Sequence, residues 1–311
     1  MTNIHDIARA SGYSATTVSR VLNHHKYVSA AVRAKVEAVI RELDYVPNDV
    51  ARDLSRGRTQ TIGVVLPMLD HPYYTDLIAG IMHEAFAQGY RVTMLPSNYA
   101  PEVEQAYLDQ LRRKAYDGLI FTSHSLALDA MVPYLKYGPV VVCQDPEATP
   151  LPAAYTDRGT SYLDAFQWIQ AHGYRRIGMM LPRDPALSAT AAAMVAAYTQ
   201  VMGTSPDPAN NWIGSMTYAD GVAAGAFFVQ RQPDFIFANG DDIAAGVLRY
   251  YHDHDRVAPP MMGQENQLSA QLMGIPSIDH HFKRVGRAAL ALAIGARTGQ
   301  VQIDSDFIAR D

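Results

Sequence analysis

The sequence predicts an α/β protein in two parts: a small N-terminal all-α domain and a larger, two-lobed body built on parallel sheets. Three observations carry this. Apolar residues recur at helical spacing through about the first 46 residues, with capping residues ahead of the helices. From residue 61, short apolar runs alternate with longer amphipathic stretches, the rhythm of a parallel sheet with helices on both faces. That rhythm restarts near residue 153, and two such halves imply two lobes with a cleft where the strand ends meet.

A chain of 311 residues exceeds one typical core, which agrees with more than one domain. Its one cysteine, Cys143, forms no intrachain disulfide, and a cysteine-rich zinc site is excluded; a reducing cytoplasm is the expected location. The start, MTNIHDIARA, lacks the apolar core of an export signal, and runs such as AALALAIGA are too short to span a bilayer. No membrane partner and no cofactor are expected. The net charge of −5 is unevenly spread: residues 1–58 hold nine Lys/Arg against six Asp/Glu, a net +3, leaving −8 for the remainder. A cationic head on an acidic body places the head against an anionic polymer.

In NIHDIARASGYSATTVSRVLN the pattern reads helix, tight turn, helix. Ile4, Ile7 and Ala8 share one face of the first helix, and Gly12 ends it. Ser14 caps a second helix whose Val18, Val21 and Leu22 face inward. Ser29 caps a third, where Val32, Val36, Val39, Ile40 and Leu43 form the stripe, and Pro47 prevents continuation. This is a helix-turn-helix unit. The outward residues of its second helix, Ala15, Thr16, Thr17 and Ser19, are short enough for a major groove, and Arg20 is a long donor able to reach a guanine edge. In the following VPNDVARDLSRGRTQ, Asn48 can cap a helix holding Val50, Ala51 and Leu54, too short to be stable alone in water. The expected divisions are a head over 1–46, a hinge helix and linker over 47–60, and a sensor and dimerisation body over 61–311.

DIARASGYSATTVSRVLN, with VSAAVRAKVEAVIRELDYVPNDVARDLSRGRTQTIGVVLP after it, closely resembles the DNA-binding head and hinge of the LacI/GalR repressor family. IGVVLP, HPYYTDLIAGI, DGLIFTS, HGYRRIG and IFANGDDIAAGVLR then follow in the order of that family's core, which is similar to periplasmic binding proteins. The resemblance implies that Ala15, Thr16 and Arg20 read the major groove, and that Ser14, Thr17, Ser19, Asn23, Tyr27, Ser29 and Asn48 sit against phosphates. It implies a hinge contribution from Ala51 and an intercalating role for Leu54. It further implies a homodimer on a palindromic DNA operator, controlled by a sugar-like effector or a phosphocarrier co-repressor.

The body departs from the family pattern where an effector binds. Met194 stands where many members carry an arginine, Gly240 and Asp241 where they carry Asn-Asp, Gln144 where they carry Asp, and Gly263-Gln264-Glu265 in place of GFD. The missing arginine removes the strongest grip on a polyol or carboxylate, so common sugars are expected to bind weakly. Tyr73, Gln144, Asp157 and Asp241 are the remaining candidates for cleft contacts, beside Met194 itself. An enzyme is disfavoured: no GxGxxG, GxxxxGK[ST], GxSxG or HExxH is present, and no metal site or catalytic set converges on the histidine pairs. A solute receptor sharing the two-lobed body has no use for residues 1–58. With no heptad tail after the sensor pattern, a coiled-coil tetramer is not expected.

Overall fold

Asn3, Ser14 and Ser29 hold extended backbone, and each offers a side-chain oxygen to the first turn of a helix: α1 (Ile4–Ser11), α2 (Ala15–Leu22) and α3 (Ala30–Glu42). Asn3 and Asp6 complete a capping box, and Gly12 closes α1 in the left-handed conformation at φ 75°. Ile7, Val18, Val21 and Val36 fill the small core between the three helices, with Val32, Val39 and Ile40 half-buried around it. Leu43, expected on the buried stripe, instead caps α3 and is 37% exposed, because the helix ends one residue before it.

The structure, a computed structural model, describes residues 2–46, 57–68 and 72–310. The chain divides into two units, Met1–Thr59 and Gln60–Asp311. The expected hinge helix, with Asn48, Ala51 and Leu54, lies outside the described residues.

In the second unit the rhythm becomes β1 (Thr61–Leu66), α4 (Pro72–Gln88), β2 (Arg91–Pro96), α5 (Pro101–Arg112), β3 (Gly118–Phe121), α6 (Leu128–Met131), β4 (Val140–Val142) and β5 (Ala153–Asp157). The chain enters the other lobe through α7 (Gly159–Ala171) and continues with β6 (Ile177–Leu181), α8 (Ala189–Met202), β7 (Asn211–Ile213), α9 (Tyr218–Arg231) and β8 (Phe235–Phe237). There follow α10 (Asp241–Asp253), β9 (Met261–Met262), α11 (Leu268–Met273) and β10 (Ser277–Asp279). It returns through α12 (Phe282–Ala293) and β11 (Gln300–Asp304), and crosses once more into β12 (Asp306–Ile308).

The first sheet runs β11-β5-β4-β3-β1-β2 and the second β7-β6-β8-β9, each parallel throughout, while β10 and β12 pair antiparallel. Each parallel sheet lies between two apolar layers: in β1, Ile62, Val64 and Leu66 face one and Val65 the other. The repeating rhythm anticipated these layers, but not β7, β9, β11 or β12, which are two to five residues long.

Both lobes use one packing device. Where α4 crosses α12, a Cβ on Gly80 would fall on the Lys283 carbonyl, and one on Gly286 on the Leu77 carbonyl. Where α9 crosses α10, Gly221 and Gly246 make the same backbone-to-backbone contact with Ile243 and Tyr218. Replacing Gly80 by Ala must push the helices apart. We expect a loss of roughly 1–3 kcal/mol in denaturant unfolding of the sensor unit, with the head's own transition unmoved. An unchanged midpoint would show that the crossing has slack.

Candidate nucleic-acid interface and ligand cleft

On the head, the inward positions of α2 are taken by Val18 and Val21, which turns Thr16 and Arg20 outward. Both are exposed, and the Arg20 guanidinium makes no ion pair with any described residue. Ala15, Thr17 and Ser19 are half-buried beside them. Ser14 Oγ accepts from Thr17 N at 3.2 Å and lies 2.9 Å from the Thr17 hydroxyl, so the cap also orients the helix start. Asn23 Nδ2 donates to the Ser19 carbonyl at 2.9 Å, and Tyr27 is 92% exposed. Ser29 is exposed and caps α3. The sequence reading passed over Arg33, whose guanidinium donates to the carbonyls of Val21 (3.4 Å) and His25 (3.0 Å) and so ties the loop carrying Asn23 and Tyr27 to α3.

In the sensor unit a cavity of about 600 Å³ opens at the C-terminal ends of the parallel strands, where an open α/β sheet places its ligands. Tyr73, Gln144 and Asp157 line it. Tyr73 donates to the Thr122 carbonyl at 2.7 Å and stands edge-on to Tyr74 and Phe282, with centroids 4.8 and 4.6 Å away. Its hydroxyl therefore braces the wall. Asp157, just ahead of the Arg158 N-cap of α7, accepts from Gly159 N at 2.8 Å and from Gln302 Nε2 at 3.2 Å.

Two expected cleft residues are elsewhere. Met194 is wholly buried in the second lobe's core with Ala191 and Tyr198. One residue is about 100° of helix, so Thr190 and Ala193, not Met194, face the cavity. Asp241 is also wholly buried: its carboxylate turns away to accept from Gln267 N at 2.7 Å and from Ser277 Oγ at 2.8 and 3.0 Å. Asn239, two residues earlier, lines the cavity instead, with its amide donated to the Ser215 carbonyl at 3.2 Å.

Sequence reasoning missed the cavity's cations. Arg158 Nη1 donates to Thr190 Oγ1 at 3.0 Å, and its guanidinium lies 5.6 Å from the Phe282 ring centre. Arg183 lies 4.8 Å over the ring of Tyr99, reaching from one lobe to the other. Tyr99 is held in turn by the hydroxyls of Tyr74 (3.2 Å) and Ser123 (3.1 Å). The absence of an arginine at Met194 is thus no longer a reason for weak ligand binding.

Behind the cavity, residues from all three interlobe crossings meet. His280 Nδ1 lies 2.9 Å from Ser305 Oγ, which is 2.7 Å from Thr156 Oγ1. His280 Nε2 lies 3.0 Å from Gln264 Oε1, which also accepts from the Tyr162 hydroxyl at 2.9 Å. The Gln264 oxygen can only accept, so Nε2 carries the proton and Nδ1 accepts from Ser305. Burial, with the charges of Arg158 and His281, holds the imidazole well below its ordinary pKa, and it stays neutral.

Two carboxyls in the second lobe move the other way. Burial pushes Asp241 up to about 7, opposed by its Gln267 and Ser277 hydrogen bonds and by Arg310, and helped by Asp242. Burial, then the charge of Asp241, also raises Glu265, against the attraction of Arg158. A carboxyl raised on folding stabilises the fold fully below its unfolded pKa, and loses that contribution as pH rises through the folded one. Unfolding free energy of the sensor unit should therefore fall by roughly 1–3 kcal/mol between about pH 5 and pH 8. Asp241→Asn should flatten part of that slope and leave the part due to Glu265. Denaturant unfolding at a series of pH values reads this directly, and an unaltered slope in the variant would remove Asp241 from the account.

Comparison with known proteins gives consistent matches. Residues 3–48 match the model for bacterial regulatory proteins of the lacI family, and residues 59–294 the model for periplasmic binding proteins and the sugar binding domain of the LacI family. Catabolite control protein B of Bacillus subtilis (strain 168) is 38% identical over 309 residues, covering 99% of each chain. The NTD biosynthesis operon regulator NtdR of the same organism is 30% identical, covering 99% of this chain and 96% of its own. A lac repressor dimer bound to operator and the anti-inducer ONPF shares the fold, with a TM-score of 0.82 at 22% identity, covering 99% of this chain and 98% of that one.

Proposed function

The chain belongs to the lacI family of bacterial regulatory proteins, and from that premise we propose that it represses carbohydrate-related or catabolite-controlled genes as a homodimer on a palindromic operator. It is a DNA-binding transcription regulator, not an enzyme. The observation that carries the proposal is the outward face of α2, where short side chains flank an exposed arginine that has no ion-pair partner among the described residues. One such helix reads too few bases for specificity, and two related by a twofold axis read a palindrome.

In this reading Ala15, Thr16 and Arg20 meet base edges, and Ser14, Thr17, Ser19, Asn23, Tyr27 and Ser29 sit against phosphates. From the hinge, Asn48 joins the phosphate contacts, and Ala51 and Leu54 complete the interface at the minor groove. Control falls to the sensor cavity. Its volume of about 600 Å³ has room for a small polar molecule, the effector in this reading. The name of a relative, catabolite control protein B, accords with catabolite-controlled genes as the targets.

Selection of binding sites from random DNA tests the assignment. Arg20→Ala should relax preference at one position in each half-site, costing about 1–3 kcal/mol per half-site on the preferred sequence. Lys35→Ala should leave the preference intact, since that ammonium lies over the Tyr13 ring at 5.4 Å and at most contacts phosphates, which carry no sequence information. An unchanged sequence preference for Arg20→Ala would sink the assignment of α2, and selection of single half-sites would sink the dimer.

A further inference from the structure

Resting on the reading of the interlobe cavity as the effector site, we propose that its ligand is an anion: a small hydroxylated molecule whose phosphate or carboxylate lies against Arg158 and Arg183. Both guanidiniums line the cavity, and neither forms an ion pair with a described carboxylate. Arg158 spends one donor on Thr190 and keeps others for a ligand. Arg183 lies over the Tyr99 ring, and its N–H donors have no hydrogen-bond partner among the described residues.

Among the described residues, none of the acids that share the cavity forms an ion pair with these guanidiniums. Asp157 is occupied at both oxygens, by the Gly159 amide and the Gln302 side chain. Asp145 is exposed at the rim and accepts from Glu147 N at 2.8 Å. Glu265 is half-buried, and its desolvation, with the charge of Asp241 beside it, favours its uncharged form. The starts of α7 and α8 also open on the cavity through Gly159, Ala189 and Thr190, adding the positive end of two helix dipoles. Opposite them, the hydroxyl chain Tyr74–Tyr99–Ser123 offers partners for a ligand's own hydroxyls. The wall is therefore divided: cations and helix starts on the second lobe's side, phenols and a serine on the first.

Titration calorimetry of the full-length protein with glucose, glucose 6-phosphate and gluconate at one ionic strength tests this. Both acids should bind about tenfold or more tighter than glucose, the effect of charge-assisted hydrogen bonds to one anionic group. Arg158→Gln and Arg183→Gln should each remove most of that advantage, and thermal unfolding without ligand checks that the variants are folded. The ratio between the two acids tells whether phosphate or carboxylate is the better fit. Glucose binding as tightly as the acids overturns the proposal, as does failure of both acids to bind at millimolar concentration. An anion preference that survives both substitutions arises at the cationic head and overturns it too. Operator binding in the same samples keeps the readings apart. A protein that holds operator but prefers glucose loses the anion site alone, and one that prefers the acids but holds no DNA loses the regulator reading alone.

Discussion

The chain passes between the lobes at residues 157–159, 279–282 and 304–306, and the hydroxyls of Thr156 and Ser305 meet the imidazole of His280 where these passages run side by side. Each member of that chain has a hydrogen-bond partner, and one proton arrangement satisfies it, while burial and the charge of Arg158 keep the imidazole neutral. Much else follows from this knot. It fixes where α7 and α12 begin, and hence where Arg158 and Phe282 stand. Through Gln264 it reaches the cavity wall itself, so the hinge and the ligand share an atom's neighbour. Meanwhile the glycine crossings hold each lobe's helices backbone against backbone, which favours rigid lobes and concentrates any bending at the three passages.

The head solves a different problem with fewer residues. Its four buried apolar side chains suffice only because caps and short hydrogen bonds finish each helix end locally. With the caps turned to the backbone and the valines turned inward, the side chains left over on α2 are the ones that meet solvent or a partner. Geometry and recognition are thus decided by the same period of 3.6.

How far the residues alone announced this is uneven, for physical reasons. Caps, turn glycines and helical period speak clearly over a dozen residues, so α1, α2 and α3 were legible to within a residue or two. Long apolar runs such as TIGVVL and IGMML announced the central strands. Two- and three-residue strands such as β7 and β9 exist because a neighbour offers them a ladder, and no local pattern marks them. The cavity was harder still. Arg158 and Arg183 follow strand ends, where no periodicity tells which way a side chain points. Met194 shows how thin the margin is: one step along α8 separates the cavity face from the core. Asp241 was legible as a helix start, but its burial depends on Ser277 and Gln267, contributed by chain 26 to 36 residues later.

The order in which the chain is made gives the return of α12 and β11 another meaning. The first lobe has its β1 to β5 by residue 157, yet α12 fills one face of its sheet and β11 supplies the edge beside β5. Until residues 282–304 leave the ribosome, that lobe exposes the apolar face meant for α12 and a bare edge along β5. The second lobe is nearly continuous in sequence and waits only for β12. Synthesis therefore runs against assembly: the half that emerges first is the half that must be sheltered longest, and such distant pairings close slowly. A nascent chain of this design has reason to be held by a chaperone through most of its translation.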